Sequence, residues 1–261
     1  MIKSKLIKKI GYNVLNTICP NGINVAMKNF SLKLPVDYFR LFPKNYEDEN
    51  FQFIDRSLKP GHTVLDIGAH IGLTAVLFGQ KVTPNGRVFS FEPTPVSYGV
   101  LKETIRINKL EQVITPVNSP VTDKSGTVNF YISNTAVDVA NSLVAWEKGK
   151  ELHGIQLNAT CVDDFVKSQK ITKVDFMKID AEGVEYKVLN GAKETLTTHK
   201  PLVILALHPT AVATNGDSLK DIYSFLKEIG YKIFLDQKEI NEDSFCRQTG
   251  LFDVHLSFTN L

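Results

Sequence analysis

The sequence predicts an open α/β fold built on a mostly parallel sheet. From Thr63 to about Ile229, short apolar segments alternate with segments of helical length, and this alternation implies parallel strands joined by right-handed crossovers. A glycine-containing turn separates the first of these strands from its helix, as in nucleotide-binding folds of this class. We therefore expect a Rossmann-like domain over residues 50–261 and an extension of one helix and one β-hairpin over residues 1–49.

Composition narrows the class of protein further. The hydrophobic fraction of 43% and charged fraction of 22% are those of an ordinary globular domain. A formal net charge of +2 indicates no basic face for nucleic acid, so no such partner is expected. The three cysteines (Cys19, Cys161 and Cys246) make no C-x-x-C pair, which argues against a disulfide framework or a zinc site and favours a reducing, cytoplasmic location.

The extension begins with an amphipathic, lysine-rich helix over residues 1–19. One interpretation docks this helix on the domain, and the alternative places it against a membrane surface, which would make the protein membrane-associated. No apolar run approaches the roughly 20 residues that span a bilayer. Alternation from Ile23 to Leu34 predicts the hairpin, and a helix follows over Phe51–Leu58.

The domain itself is predicted as a series of five parallel strands with four helices. The strands are Thr63–Ile67, Arg87–Phe91, Val113–Val117, Val174–Ile179 and Leu202–Leu207, and the helices are Ile71–Gln80, Pro95–Asn108, Val184–Thr198 and Ser218–Ile229. Two final strands, Tyr231–Leu235 and Phe252–Phe258, have no helix-length segment between them. They predict an antiparallel C-terminal edge and bring the sheet to seven strands.

An insertion over residues 126–169 interrupts this pattern. It contains two predicted strands, Thr127–Ser133 and Gln156–Cys161, and a polar middle with the single tryptophan, Trp146. Long insertions at this edge of a sheet often wall a substrate site. The insertion is therefore interpreted as a substrate lid, with a plain edge hairpin as the alternative.

The strongest motif is the turn from Asp66 to Gly72. Glycine at 68 permits a sharp bend and close contact between backbone and ligand, and Gly72 lets the helix start pack close to the strand. A dinucleotide fingerprint needs glycine at 68, 70 and 73, where this chain has Gly68, His70 and Leu73. The turn, which includes Ala69, therefore favours S-adenosylmethionine (SAM), whose sulfonium and ammonium charges suit Asp66.

Three further positions complete the predicted cofactor site. Glu92 and Pro93 follow the second strand, twenty residues beyond Gly72, and an acid at this point binds ribose hydroxyls in nucleotide-binding folds. Ser119 follows the third strand and is expected near the adenine, with a plain turn as the alternative.

Polar groups after the fourth and fifth strands predict the acceptor site. Lys178 and Asp180 share one face of their strand, and a buried lysine is costly unless it is paired. Asp180, Glu182 and His208 stand where open sheets bind ligands. They are predicted to hold an acceptor hydroxyl and take its proton, with Asp180 also near the cofactor. The alternative for Lys178 and the carboxylates is a buried ion pair with a cap at the start of the next helix. The alternative for His208 is a surface histidine that ends its strand. A metal is allowed by these groups but is not assigned.

Several of these segments together resemble the FkbM family of SAM-dependent methyltransferases. They are Asp66–Gly72, Phe91-Glu92-Pro93, the block Lys178–Glu185, Cys161-Val162-Asp163-Asp164-Phe165 and Asn190-Gly191-Ala192. The resemblance spans roughly residues 47–209 and implies a class I methyltransferase fold, SAM as cofactor, and O-methylation of sugars, glycolipids or natural products. Family members usually have asparagine at the position of His70 and a glutamate near Ala206 or Leu207.

The expected function is therefore methyl transfer to a hydroxyl of a small-molecule or glycan acceptor. Lys178 would orient Asp180, or act as the base itself if burial lowers its pKa. Two other functions stay open on the sequence alone, an NAD-dependent oxidoreductase and a catalytically silent SAM-binding protein. The sequence predicts neither the acceptor nor the oligomeric state.

Overall fold

The computed structural model describes residues 14–43, 45–133 and 152–261. Its strands are β1 (Ile23–Met27), β2 (Phe30–Leu34), β3 (Thr63–Ile67), β4 (Arg87–Phe91), β5 (Ile114–Val117), β6 (Gly126–Ser133), β7 (Leu152–Ala159), β8 (Phe176–Ile179), β9 (Leu202–Leu207), β10 (Lys232–Leu235), β11 (Lys238–Glu239) and β12 (Phe252–Ser257). Its helices are α1 (Asp48–Ser57), α2 (Leu73–Val82), α3 (Pro95–Ile107), α4 (Val162–Ser168), α5 (Glu185–Asn190), α6 (Lys193–His199), α7 (Pro209–Thr214), α8 (Leu219–Glu228) and α9 (Glu242–Cys246). A short helical stretch over residues 14–18 precedes them.

The central sheet has eight strands in the order β11-β10-β12-β9-β8-β3-β4-β5. The five strands from β9 to β5 in this order are parallel, as the sequence predicts. The antiparallel strand β12 is not an edge strand, because it pairs with both β9 and β10. The two-residue strand β11 forms that edge instead, so the sheet has one strand more than predicted.

Helices cover both faces of this sheet. Side chains alternate between two apolar clusters along each strand, so that Val64 and Phe176 face one cluster while Leu65 and Met177 face the other. Strands with both faces buried read as continuous apolar runs. This layered arrangement is the α/β architecture that the sequence predicts.

The predicted helix over residues 184–198 is divided into α5 and α6. The break falls at Gly191, where a Cβ atom would lie 2.3 Å from the carbonyl oxygen of Thr122. Asp163, at the start of α4, accepts hydrogen bonds from the N–H groups of Glu194 and Thr195 at 3.0 and 2.8 Å. Because an acceptor at a helix start satisfies free N–H groups, Asp163 fixes the start of α6.

The N-terminal hairpin is anchored to the domain. The side chain of Asn108 accepts from the N–H of Lys33 and donates to its carbonyl oxygen, both at 2.8 Å. Leu32 and Leu34 are buried in the same cluster as α2. The first thirteen residues of the predicted terminal helix lie outside the described residues, as do Lys44 and Trp146 with its surrounding segment, 134–151. In the part of the chain that is described, no helix has both the length and the apolar character to cross a bilayer.

Candidate active site

A cavity of about 520 Å³ opens at the carboxyl edge of the sheet. Such edges are the usual ligand sites of open α/β folds. Ten of the residues predicted for the site line it, namely Gly68, Ala69, His70, Glu92, Pro93, Ser119, Lys178, Asp180, Glu182 and His208. Asp66 and Gly72 are not among the lining residues.

Gly68 brings the first turn against the fourth strand of the parallel series. Its φ is +84°, and a Cβ atom would lie 1.9 Å from the carbonyl oxygen of Asp180. Only glycine fits this approach. The following residues Ala69 and His70 line the cavity, and His70 also has a positive φ of 50°. The turn therefore presents backbone to the cavity, as the motif predicts.

Asp66 and Gly72 support this turn from behind the cavity wall. The Asp66 carboxylate is fully buried and accepts a hydrogen bond from Ser90 Oγ at 3.2 Å. Burial raises its pKa to about 6, although the positive charge of Lys178 opposes the shift. A Cβ atom on Gly72 would lie 2.7 Å from Leu101. Gly72 therefore permits close packing of α2 against α3, whereas the sequence interpretation had the helix start packing on its strand.

Glu92 is buried in the cavity wall with its carboxylate held by backbone groups. The N–H of His70 donates to Oε2 at 3.0 Å, and the N–H of Thr94 donates to Oε1 at 2.8 Å. Burial raises the pKa of Glu92 to about 7 in spite of these bonds. The carboxylate is thus fixed in position at the end of β4, where the sequence predicts a ribose-binding acid.

Ser119 connects the cavity to the insertion. Its Oγ donates to the carbonyl oxygen of Asn158 in β7 at 2.7 Å. Strands β6 and β7 pair with each other as an antiparallel hairpin, and Phe130 of β6 lines the cavity. The hairpin forms part of the wall; residues 134–151, between its two strands in sequence, lie outside the described residues.

Lys178 is buried beside Asp180, and its Nζ atom lies 2.7 Å from Oδ2 of that residue. Burial alone would lower the pKa of Lys178, but the negative charges of Asp180, Glu47 and Asp66 raise it above its ordinary value. This direction favours a protonated lysine and argues against the alternative in which burial lowers its pKa and makes it the base. Burial alone would raise the pKa of Asp180, but the positive charges of Lys178 and His208 outweigh this effect, so the pKa lies below its ordinary value.

His208 joins three acidic residues at the end of β9. Its Nδ1 atom lies 2.8 Å from Oε1 of Glu185, while Nε2 lies 3.3 Å from Oε2 of Glu182 and 3.8 Å from Oδ1 of Asp180. Burial opposes the charge on His208, but the hydrogen bond to Glu185 and the nearby carboxylates raise its pKa to about 9. Burial raises the pKa of Glu182 to about 8. We call Asp180, Glu182 and His208 the acceptor cluster.

The sequence interpretation missed a wall built from two segments that lie far apart in the sequence. The residues are Phe42, Tyr46, Glu47, Leu251 and Asp253. Asn50 links the two segments, because its Nδ2 donates to Glu47 at 3.2 Å and to Asp253 at 2.6 Å. Residues 35–50 carry no periodic pattern or motif, so no signal in the sequence assigns them to the site.

Comparison with known proteins places these features in a family. The family described as "Methyltransferase FkbM domain" matches residues 66–233. The hexuronic acid methyltransferase AglP of Haloferax volcanii is 23% identical, over 82% of this chain and 81% of its own length. The 2-O-methyltransferase NoeI of Sinorhizobium fredii is 26% identical, over 56% of this chain and 63% of its own.

A solved structure of similar fold also bears the family name. It is the methyltransferase FkbM from Methylobacillus flagellatus, which superposes with a TM-score of 0.51 at 14% identity. The match covers 97% of this chain and 60% of that protein. At 14% identity this similarity is evidence about the fold alone, and it confirms the predicted Rossmann-like fold.

Proposed function

The chain belongs to the FkbM family of SAM-dependent methyltransferases, and we propose that it methylates a hydroxyl oxygen of a sugar, glycolipid or natural-product acceptor. One observation carries this proposal. A single cavity is lined both by the turn Gly68–His70 with Glu92 and by the acceptor cluster. The cavity thus has a polar site at each end, one for a nucleoside and one for a hydroxyl. The name of NoeI, a 2-O-methyltransferase, supports oxygen as the target.

The residues present fit SAM. A cavity of about 520 Å³ lies within the range of small-molecule sites. The bare backbone at Gly68 allows close approach, and the buried Glu92 carboxylate has acceptor capacity for two ribose hydroxyls. We assign the methionine end to the turn Gly68–His70 and the adenine end to Pro93 and Ser119. Asp66 and Gly72 shape the turn without facing the cavity.

When bound, SAM would supply a methyl group on a sulfonium: the acceptor oxygen would bond to the methyl carbon in line as the carbon–sulfur bond breaks and SAH leaves. The protein residues hold the acceptor for this displacement and take its proton. Lys178 bonds Oδ2 of Asp180 and leaves Oδ1 directed toward His208 and the cavity. We assign Asp180 as the proton acceptor and Glu182 as a group that binds the acceptor. With no cation bound, His208, also predicted as a base, orients both carboxylates in its protonated form.

Positioning supplies most of the expected rate enhancement. Aligned intramolecular reactions gain roughly 7–11 kcal/mol from orientation, whereas a general base contributes roughly 10²- to 10⁴-fold. The apolar walls, which include Ile67, Phe91 and Val184, limit solvent around the reacting charges. The site therefore depends on a rigid wall as much as on Asp180.

The function can be tested with the full chain in two steps. Calorimetry with S-adenosylhomocysteine (SAH) measures cofactor binding, and NADH is the control ligand. Release of SAH from SAM is then followed against neutral glycans, uronic acid glycans and glycolipids. Carbon-13 NMR of product made with ¹³C-methyl SAM identifies the atom that receives the methyl group. We expect SAH to bind, NADH not to bind, and the methyl group to appear on oxygen.

Three results would contradict the proposal. Absence of SAH binding would remove the cofactor assignment, and a methyl group on nitrogen or carbon would remove the assigned target. Near-normal turnover in both Asp180→Asn and His208→Ala would remove the acceptor cluster from the mechanism. Glu103→Gln, a substitution on the exposed face of α3, is the control variant and should keep normal turnover.

A further inference from the structure

Three atoms that commonly ligate metals converge in the acceptor cluster. One ligand atom from each of Asp180, Glu182 and His208 lies within 4.8 Å of the others. A cation with bonds of about 2.0–2.2 Å has ligand atoms about 3 Å apart at right angles and about 4.2 Å apart across the ion. The measured separations of 3.3 and 3.8 Å from Nε2 of His208 fall between these limits.

The imidazole of His208 is oriented as a ligand. An ionised carboxylate only accepts hydrogen bonds, so Glu185 fixes the hydrogen on Nδ1 and leaves Nε2 toward the two other acids. Glu185 is fully buried and is itself held by the N–H of Gly183 at 2.9 Å. A carboxylate on the far nitrogen is the usual support of a histidine that binds a metal.

The two carboxylates are also held in place. Lys178 binds Oδ2 of Asp180 and leaves Oδ1 for the cluster. Glu182 adopts a positive φ of 50°, and the following Gly183 has a φ of 102°. A Cβ atom on Gly183 would lie 2.5 Å from Ala211, so the position admits only glycine. Such strained backbone conformations concentrate at binding sites. This turn places the Glu182 side chain beside His208.

Charge gives an independent reason for a cation. Three carboxylates surround the imidazole, from Asp180, Glu182 and Glu185, and the ammonium group of Lys178 is bonded to that of Asp180. In the cation-bound form, with a neutral imidazole and no proton on the carboxylates, these groups carry a net charge of −2, which one divalent ion balances. Oε2 of Glu185 is buried with no hydrogen-bond partner among the described residues, so the negative charge there is incompletely compensated.

We propose that Asp180, Glu182 and His208 bind one divalent cation of the Mg²⁺ or Mn²⁺ class at the acceptor end of the cavity. The two carboxylate oxygens suit hard cations of this class, and the imidazole nitrogen makes Mn²⁺ the better match of the two. The ligand residues line the cavity, so the remaining positions of the ion face the acceptor. With the ion bound, Asp180 would act as a ligand; the ion would bind the acceptor oxygen and lower the pKa of its hydroxyl, whose proton would leave to water. This catalytic consequence rests on the proposed function, whereas the binding site itself does not.

The site can be tested on the full chain after treatment with a chelator. Free Mn²⁺ is followed by electron paramagnetic resonance during titration, and pulsed measurements detect a histidine nitrogen bound to the ion. We expect one Mn²⁺ per chain and a nitrogen coupling. His208→Asn and Glu182→Gln should each weaken binding at least tenfold, and His208→Asn should remove the coupling. Glu103→Gln, which removes a carboxylate on the exposed face of α3, should change affinity less than threefold.

SAH binding keeps the outcomes separate. All three variants should retain it, which shows that they fold. If wild-type protein binds SAH but binds Mn²⁺ no more tightly than millimolar, a proton alone bridges the cluster and the cation proposal is wrong. Mn²⁺ binding that His208→Asn leaves unchanged would overturn it as well. Failure of SAH binding would instead count against the proposed function.

Discussion

Oε1 of Glu185 lies 2.8 Å from Nδ1 of His208, and the carboxylate is completely buried at the start of α5. Glu185 has no contact with the acceptor in the proposed arrangement. It is a positioning residue, because it acts only through the ring that it orients. Its effect should therefore differ from that of a residue that binds a ligand directly.

Glu185→Gln keeps the size of the side chain but removes its charge. We expect kcat to fall about 10- to 100-fold, the usual loss when a group that supports a ligating histidine is changed. KM for SAM should stay constant. Steady-state kinetics with SAM varied at saturating acceptor separates the two parameters. An unchanged kcat, or a loss that appears only in KM, would show that Glu185 does not orient the cluster.

Glu92→Gln should weaken cofactor binding. Hydrogen bonds to a charged acceptor contribute about 1.5–3 kcal/mol each, so the loss of the charge should raise the Kd for SAM about 10- to 100-fold. The pKa of Glu92 is raised to about 7 in the protein alone, and ribose hydroxyls bind best to the ionised form. Affinity of the wild type should therefore rise as pH increases through about 7.

The variant provides the control for this titration. Glu92→Gln has no carboxylate to ionise, so its SAM affinity should be nearly flat over the same pH range. Calorimetry from pH 5.5 to pH 8.5, on the order of 1.5 units either side of that pKa, gives both curves. Equal slopes for the two proteins would mean that another group controls the pH dependence.

Gly68→Ala should destabilise the fold. The new Cβ would be placed 1.9 Å from the carbonyl oxygen of Asp180, at a φ of +84°. Overpacking and an unfavourable backbone conformation each cost about 1–3 kcal/mol, so we expect a loss of about 3 kcal/mol or more in the free energy of unfolding. Urea denaturation measures this loss.

Gly99→Ala is the matched control for that substitution. Gly99 lies within α3, and a Cβ atom there would meet nothing within 4 Å. Alanine should stabilise this helix position by about 0.5–1 kcal/mol. A small effect at residue 68, similar to that at residue 99, would show that the turn can move away from β8.

His255 should contribute stability that is lost in acid. It is stacked on Phe53 with ring centroids 4.1 Å apart and bonds Asn50 through Nε2 at 2.9 Å. Burial, together with the charge of Arg56, lowers its pKa to about 4. The unfolded chain binds this proton below pH about 6.5, so the stabilisation is present above that value and disappears as pH falls through about 4.

The comparison with His255→Gln isolates this effect. Between pH 7 and pH 4, wild-type protein should lose about 3 kcal/mol more unfolding free energy than the variant, which corresponds to about 2.5 pKa units. Urea denaturation at several pH values provides the measurement. Parallel curves for the two proteins would show that His255 titrates normally in the folded state.

The sequence predicts the core of the fold because its signals are local. Strands β3, β4 and β9 have the predicted bounds, since each is an apolar run closed by a turn. The position of β12 could not be predicted, because pairing with β9 rather than only β10 depends on contacts between distant segments. The same holds for the division of α5 from α6, which reflects the close approach of Gly191 to Thr122.

The site was predictable where it lies at strand ends. Glu92, Asp180 and His208 follow β4, β8 and β9 directly, so the topology of the sheet places them together. The position of Asp66 behind the wall was not predictable, since alternation along β3 does not say whether a carboxylate at its end faces a ligand or Ser90. Tyr46 and Asp253 enter the cavity from segments whose patterns carry no functional signal.

The bond between Asn50 and Asp253 joins residues 203 positions apart. A chain emerging from the ribosome cannot form it until Asp253 has been synthesised, when all five parallel strands of the sheet have already been made. The nascent domain can therefore bury most of its core while one wall of the cavity is still missing. Competence for ligands should consequently arise after the bulk of folding, and a protease cut just before β12 should abolish it while sparing much of the secondary structure.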